Sequence, residues 1–154
     1  MDAPKTLLVP TDFSDVSSAA LDYARMLRDR LGCSLHVLHV LEDPLSIVGL
    51  ADGYGLPPDF IQQVERDARD RLQNLLATIE GPGPHVTLLI REGSPFVEIV
   101  RYAREEHIDL IVMGTHGRGP IAHMLLGSVA EQVLRKAPCP VLVVRKPEQA
   151  FVMP

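Results

Sequence analysis

Short apolar runs alternating with stretches of helical periodicity constrain this chain more than any other feature of it. Thr6–Pro10 (TLLVP), Ser34–Leu41 (SLHVLHVL), Val86–Ile90, Ile108–Met113 and Val141–Val144 are each four to eight residues long and rich in β-branched and leucine side chains, which is how a strand buried on both faces reads. Between the first two, Leu21, Ala24, Leu27 and Leu31 recur at helical spacing, predicting a helix over about 17–31 that stops at Gly32. A second helix is expected over 58–79, closing at Gly81-Pro82-Gly83-Pro84. A third is opened by Ser94-Pro95 and runs to about Glu106. A fourth follows Gly127-Ser128, where Ser128-x-x-Glu131 fits a capping box. Residues 42–58, punctuated by Pro44, Gly49, Gly53, Gly55, Pro57 and Pro58, read as a long irregular connection.

Strand–helix alternation of this kind builds βαβ units. The expected fold class is therefore α/β, a doubly wound five-stranded parallel sheet in the order 3-2-1-4-5, within one domain spanning 1–154. Such sheets take ligands beyond the carboxyl ends of their strands, where the strand order reverses. In this order the reversal falls between strands one and four, so the segments facing a ligand are Pro10 to Ser14 and Gly114 onward.

Composition narrows the ligand. A net charge of −5 argues against a nucleic-acid surface, since backbone phosphates favour clustered Lys and Arg. Without tryptophan, stacking platforms for bases are poorly supplied as well. No apolar run approaches the ~20 residues that span a bilayer, and Met1-Asp2-Ala3-Pro4-Lys5 lacks the pattern of a signal peptide, so the cytoplasm is expected. Cys33 and Cys139 are too few and too far apart for a disulfide framework or a metal site and are expected to be free, buried thiols. His36 and His39 have the spacing of a metal pair on a helix, but on a strand residues three apart face opposite ways.

The chemistry concentrates after strand four, in Gly114-Thr115-His116-Gly117-Arg118-Gly119-Pro120 and again in Gly127-Ser128-Val129-Ala130-Glu131. Glycine lets backbone N–H groups approach an anion closely, and a helix N-terminus adds unpaired donors and partial positive charge. The result is a phosphate cradle built from backbone. His116 and Arg118 are its cationic candidates, with His123 nearby. There is no P-loop lysine motif, no G-x-G-x-x-G after strand one and no G-x-S-x-G nucleophile elbow.

The spacing G-x2-G-x9-G-[ST], met by Gly114, Gly117, Gly127 and Ser128, resembles the ATP-binding signature of the universal stress protein family. The likeness extends to Leu7-Leu8-Val9-Pro10-Thr11-Asp12-Phe13-Ser14, Leu38-His39-Val40, Asp109 to Gly114, and Gly127 through Ala137-Pro138-Cys139-Pro140 to Val144. It implies a Rossmann-like sheet of the adenine nucleotide alpha hydrolase-like kind. By the resemblance, Pro10, Thr11 and Asp12 border the nucleoside, with Asp12 near the ribose, and the backbone of Val40 meets adenine. Met113 and Gly114 line the floor, and Gly117, Gly127, Ser128 and Val129 hold the phosphates, with Mg²⁺ carried by ATP. Gly119-Pro120 departs from the Thr-Gly or similar pair of many ATP-binding relatives. The resemblance also implies a homodimer through the last strand, and an apolar Val141–Val144 edge is a liability unless covered.

Three functions remain open at this point. One is a nucleotide-dependent stress regulator whose state an unknown protein partner reads, with slow hydrolysis at most. Another is an ATPase or phosphotransferase with His116 or Asp12 positioning water. The third is a dimeric adaptor that holds no nucleotide.

Overall fold

The computed structural model describes residues 3–42, 59–79, 81, 83–115 and 126–145. The element order is β1 (Thr6–Pro10), α1 (Asp15–Leu31), β2 (Ser34–Leu41), α2 (Phe60–Ile79), β3 (Val86–Glu92), α3 (Pro95–Glu105), β4 (Leu110–Gly114), α4 (Ser128–Lys136) and β5 (Val141–Val144). All strand pairs are parallel, in the order β3-β2-β1-β4-β5. The expected connection over 42–58 lies, but for Glu42, outside the described residues.

Strand alternation divides the core in two. Leu7, Val9, Leu35, Val37 and Val112 face Ala20, Leu21 and Ala24 of α1 and Leu72 and Ile79 of α2. Leu8, Leu38, Ile111 and Met113 face Ile99, Tyr102 and Ala103 of α3 and Ala130 and Val133 of α4. Successive side chains on one strand thus enter different cores, which is why the strands are apolar throughout.

Helix ends follow local chemistry. Ser14 caps α1, its side chain accepting the Ser17 N–H, and Gly32 ends the helix in the left-handed region (φ 69°) with its N–H on the Arg28 carbonyl. The cap places the start of α1 at Asp15, two residues before the expected Ser17. Arg25 and Arg28 of α1 donate to the Thr78 and Ile79 carbonyls (2.8 and 3.3 Å), satisfying acceptors at the C-terminal end of α2. Arg28 is 2% exposed, paired with Asp29 at 3.0 Å.

Two strand boundaries and one cap also depart from expectation. The fourth strand begins at Leu110, because the Ile108 N–H is still held by the Ala103 carbonyl of α3 (2.9 Å). The third continues past Ile90 to Glu92, since β2 runs beside it to Leu41↔Glu92. The capping box at Ser128 does not form: Gly127 occupies the cap and Ser128 is the first helical residue. Glu131 thereby lies one position too far along to reach back, donates its N–H to the Gly127 carbonyl, and binds Arg135 at 2.9 Å with its carboxylate. Cys33 is buried as expected, whereas Cys139 is half-buried between Pro138 and Pro140. Both are free, with burial raising both thiol pKa values.

Candidate functional site

At the sheet's centre the ladders stop at different heights. β1 and β2 stay paired to Pro10↔Leu38, and β4 and β5 to Gly114↔Val144, but β1 and β4 register only Leu7↔Leu110 and Leu8↔Ile111. Residues of a parallel strand aim their main-chain groups alternately at the two neighbours. Since the Thr11 N–H bonds β2 (Leu38 carbonyl, 2.8 Å), Pro10 aims at β4, where as a proline it has no N–H to offer. The strand-order reversal therefore coincides with the place where the central ladder ends.

Alternation also places Val40. The Ser34 N–H bonds Lys5 of the β1 side and the Leu35 N–H bonds His85 of the β3 side, so even-numbered residues of β2 face β1. The main chain of Val40 is thus aimed past the end of β1 (Pro10), one step beyond the Thr11–Leu38 bond.

The turn from β1 into α1 is closed by its own side chains. The Ser17 hydroxyl donates its single proton to the Ser14 carbonyl (2.9 Å), which fixes the neighbouring pair: the Thr11 hydroxyl donates to Ser17 Oγ (3.1 Å). Thr11 Oγ1 in turn accepts the Phe13 N–H (3.1 Å), and Asp12 Oδ1 accepts the Ser14 N–H (3.0 Å). Thr11 and Ser17 are buried, and Asp12 is half-buried at the turn. The Thr11 hydroxyl is therefore committed to the turn. Phe13 sits in the left-handed region (φ 62°), which suits few non-glycine residues.

On the other side, β4 ends in buried Met113 and half-buried Gly114, which lies against Val16 in the first turn of α1. The Thr115 N–H bonds the Val144 carbonyl (3.1 Å), and the Gly127 N–H bonds the Thr115 carbonyl (2.6 Å). This pair of bonds brings the α4 N-terminus, with Ser128 exposed and Val129 half-buried, onto the end of β4. The first N–H groups of a helix point outward with partial positive charge, an arrangement suited to an anion.

Of the expected site residues, Pro10, Thr11, Asp12, Val40, Met113, Gly114, Gly127, Ser128 and Val129 all lie at or beside this one edge. His116, Gly117 and Arg118, with Gly119, Pro120 and His123, lie outside the described residues. One contributor escaped the sequence reading. His39 donates from Nδ1 to the Thr11 carbonyl (2.8 Å), and its ring packs on Phe13 (centroids 4.5 Å apart). No local signal marks such a contact, because the partners lie 28 positions apart. His36 faces the opposite way, to the Tyr102 hydroxyl (2.7 Å), so the two histidines do not form a pair. Among the described residues no group of three or more His, Cys, Asp or Glu is placed to hold a metal. Two open depressions, of about 310 Å³ over α3 and about 390 Å³ where α1 meets the end of α2, lie away from this edge.

Comparison with known proteins agrees with this fold. The sequence profile of the universal stress protein family matches residues 4–145. Universal stress protein MJ0531 of Methanocaldococcus jannaschii is 37% identical over 147 residues, covering 94% of this chain and 84% of that protein. The solved structure of MJ0577 from the same organism superposes with a TM-score of 0.77 at 30% identity, covering 96% of this chain and all of that one. A universal stress protein solved in complex with cAMP superposes with a TM-score of 0.60 at 27% identity, covering 93% and 98% of the two chains.

Proposed function

The chain belongs to the universal stress protein family, and on that premise we propose that it is an ATP-binding regulator of the stress response. The observation that carries the reading is the Gly127–Thr115 bond, which sets a helix N-terminus at the end of β4 beside the β1–α1 turn. One end of that edge suits phosphate and the other suits a nucleoside. In this reading Pro10, Thr11 and Asp12 border the nucleoside, Asp12 at the ribose, and the Val40 main chain meets adenine. Met113 and Gly114 form the floor, and Gly127, Ser128 and Val129 hold phosphate together with His116, Gly117 and Arg118. Mg²⁺ arrives on the nucleotide, whose charge it offsets.

Turnover is slow at most in this proposal. Glu131, the acidic residue in the first turn of α4, is held by Arg135, and Asp12 belongs to the nucleoside end. The protein acts in the cytoplasm as a homodimer through β5, and a partner protein reads its nucleotide state. The relative bound to cAMP supports an adenine nucleotide as the ligand class.

Calorimetric titration with ATP, with and without Mg²⁺, on wild type and Gly117→Val tests the reading. Micromolar binding is expected, lost by at least about tenfold in the variant through crowding of the phosphate loop. No heat from nucleotide-free wild type would overturn ATP binding and leave a dimeric adaptor. Tighter binding of cAMP than of ATP would replace the triphosphate with a cyclic ligand.

A further inference from the structure

We propose that His39 is a positioning residue for the nucleotide site: it anchors the β1–α1 turn that presents Asp12, while standing next to Val40. The inference rests on the nucleotide reading for its consequence but on geometry for its mechanism. A carbonyl only accepts, so the 2.8 Å contact with the Thr11 oxygen fixes the proton on Nδ1 of the imidazole. The same ring packs on Phe13 with centroids 4.5 Å apart and planes tilted by 41°. One side chain from β2 therefore grips the turn on both sides of Asp12.

Asp12 needs that grip. Phe13 holds a left-handed conformation (φ 62°), which for an aromatic residue persists only when its surroundings impose it. The Arg71 guanidinium of α2 lies 5.4 Å from the Phe13 ring centroid, adding a second restraint from another element. The hydrogen bonds within the turn, Phe13 N–H to Thr11 Oγ1 and Ser14 N–H to Asp12 Oδ1, depend on Thr11 and Phe13 keeping their places. Releasing the Thr11 carbonyl frees the turn to relax, and the Asp12 carboxylate moves with it. Because His39 precedes Val40, one residue sets the spacing between the adenine edge and the ribose carboxylate.

The test compares His39→Leu with His39→Asn, whose side-chain N–H takes the place of Nδ1–H but lacks the ring's reach. Amide hydrogen exchange of Phe13 and Ser14 is measured in the nucleotide-free protein, and ATP affinity by calorimetry. The Leu variant is expected to exchange about tenfold faster at both amides and to bind ATP about tenfold more weakly, with Asn restoring most of both. Equal exchange in wild type and the Leu variant, or an Asn variant no better than Leu, overturns the proposal. Protection lost in Leu and restored in Asn, with no ATP bound by wild type, supports the anchoring and overturns the nucleotide reading instead.

Discussion

An ideal Cβ at Gly114 would lie 2.7 Å from Val16 Cγ1 and 3.0 Å from the Val16 carbonyl oxygen, so α1 comes down on β4 where no side chain fits. The glycine of the motif thus has a packing role that holds whether or not a ligand is bound. Gly114→Ala is expected to cost about 1–3 kcal/mol by pushing the first turn of α1 off the strand, read as a lower denaturant midpoint with an unchanged slope. An unchanged midpoint would mean that the helix yields freely. Thr11 and Asp12 illustrate a different lesson. The sequence flags both as ligand candidates, yet the buried hydroxyl of Thr11 is consumed in a chain through Ser17 to the Ser14 carbonyl, leaving Asp12 as the half-buried polar side chain of the pair.

Elements are joined by polar contacts as well as by the two cores. His36 of β2 meets the Tyr102 hydroxyl of α3 at 2.7 Å, and the Arg91 guanidinium of β3 lies 4.9 Å from the Tyr102 ring centroid while paired with Glu98 and Glu105. Burial, with the negative charge of Glu106 behind it, pushes the Tyr102 phenol up from 10 to about 12. A raised folded-state pKa gives a stabilisation fully present below pH 10 and lost as pH rises through 12. Its size is roughly 2–3 kcal/mol. Tyr102→Phe is therefore expected to flatten the fall in unfolding free energy between pH 10 and 12, and an equally steep fall would assign that loss to other groups. His36 is shifted the opposite way, its pKa lowered mainly by burial, so its contribution to stability is lost as pH falls and not as it rises.

At the scale of the molecule, β5 is an edge strand of four apolar residues whose ladder partner is β4, and all four are half-buried in the single chain. Leu142 and Val144 pack on one core and Val141 on the other, so their sheet faces are already partly used. What the strand still offers is its outer row of main-chain donors and acceptors, and antiparallel or parallel pairing with a second copy would satisfy it. Sedimentation equilibrium is expected to give a dimer for wild type and a monomer for Val143→Pro, which removes one edge N–H. A monomeric wild type would remove β5 as an interface. Among the described residues no helix is long and apolar enough to cross a membrane.

Much of this was legible in the sequence because it is written in local patterns. Short continuous apolar runs and period-3.6 apolar spacing fixed the strands, the helices and their alternation, and the bounds of β1, β2 and β5 match expectation to the residue. Gly114 and Gly127 mark the end of β4 and the start of α4 for the same reason, since turn and helix-start chemistry acts within a few positions, although the cap falls on Gly127 and not on Ser128. Tertiary structure alone decided what depends on distant partners. The start of β4 at Leu110 was set by a bond back to α3, and the anchoring of Thr11 by a histidine 28 positions away. The pairing of His36 with Tyr102 spans 66 positions. A short periodic pattern records which face a residue takes, but not which atom from another strand or helix will meet it there.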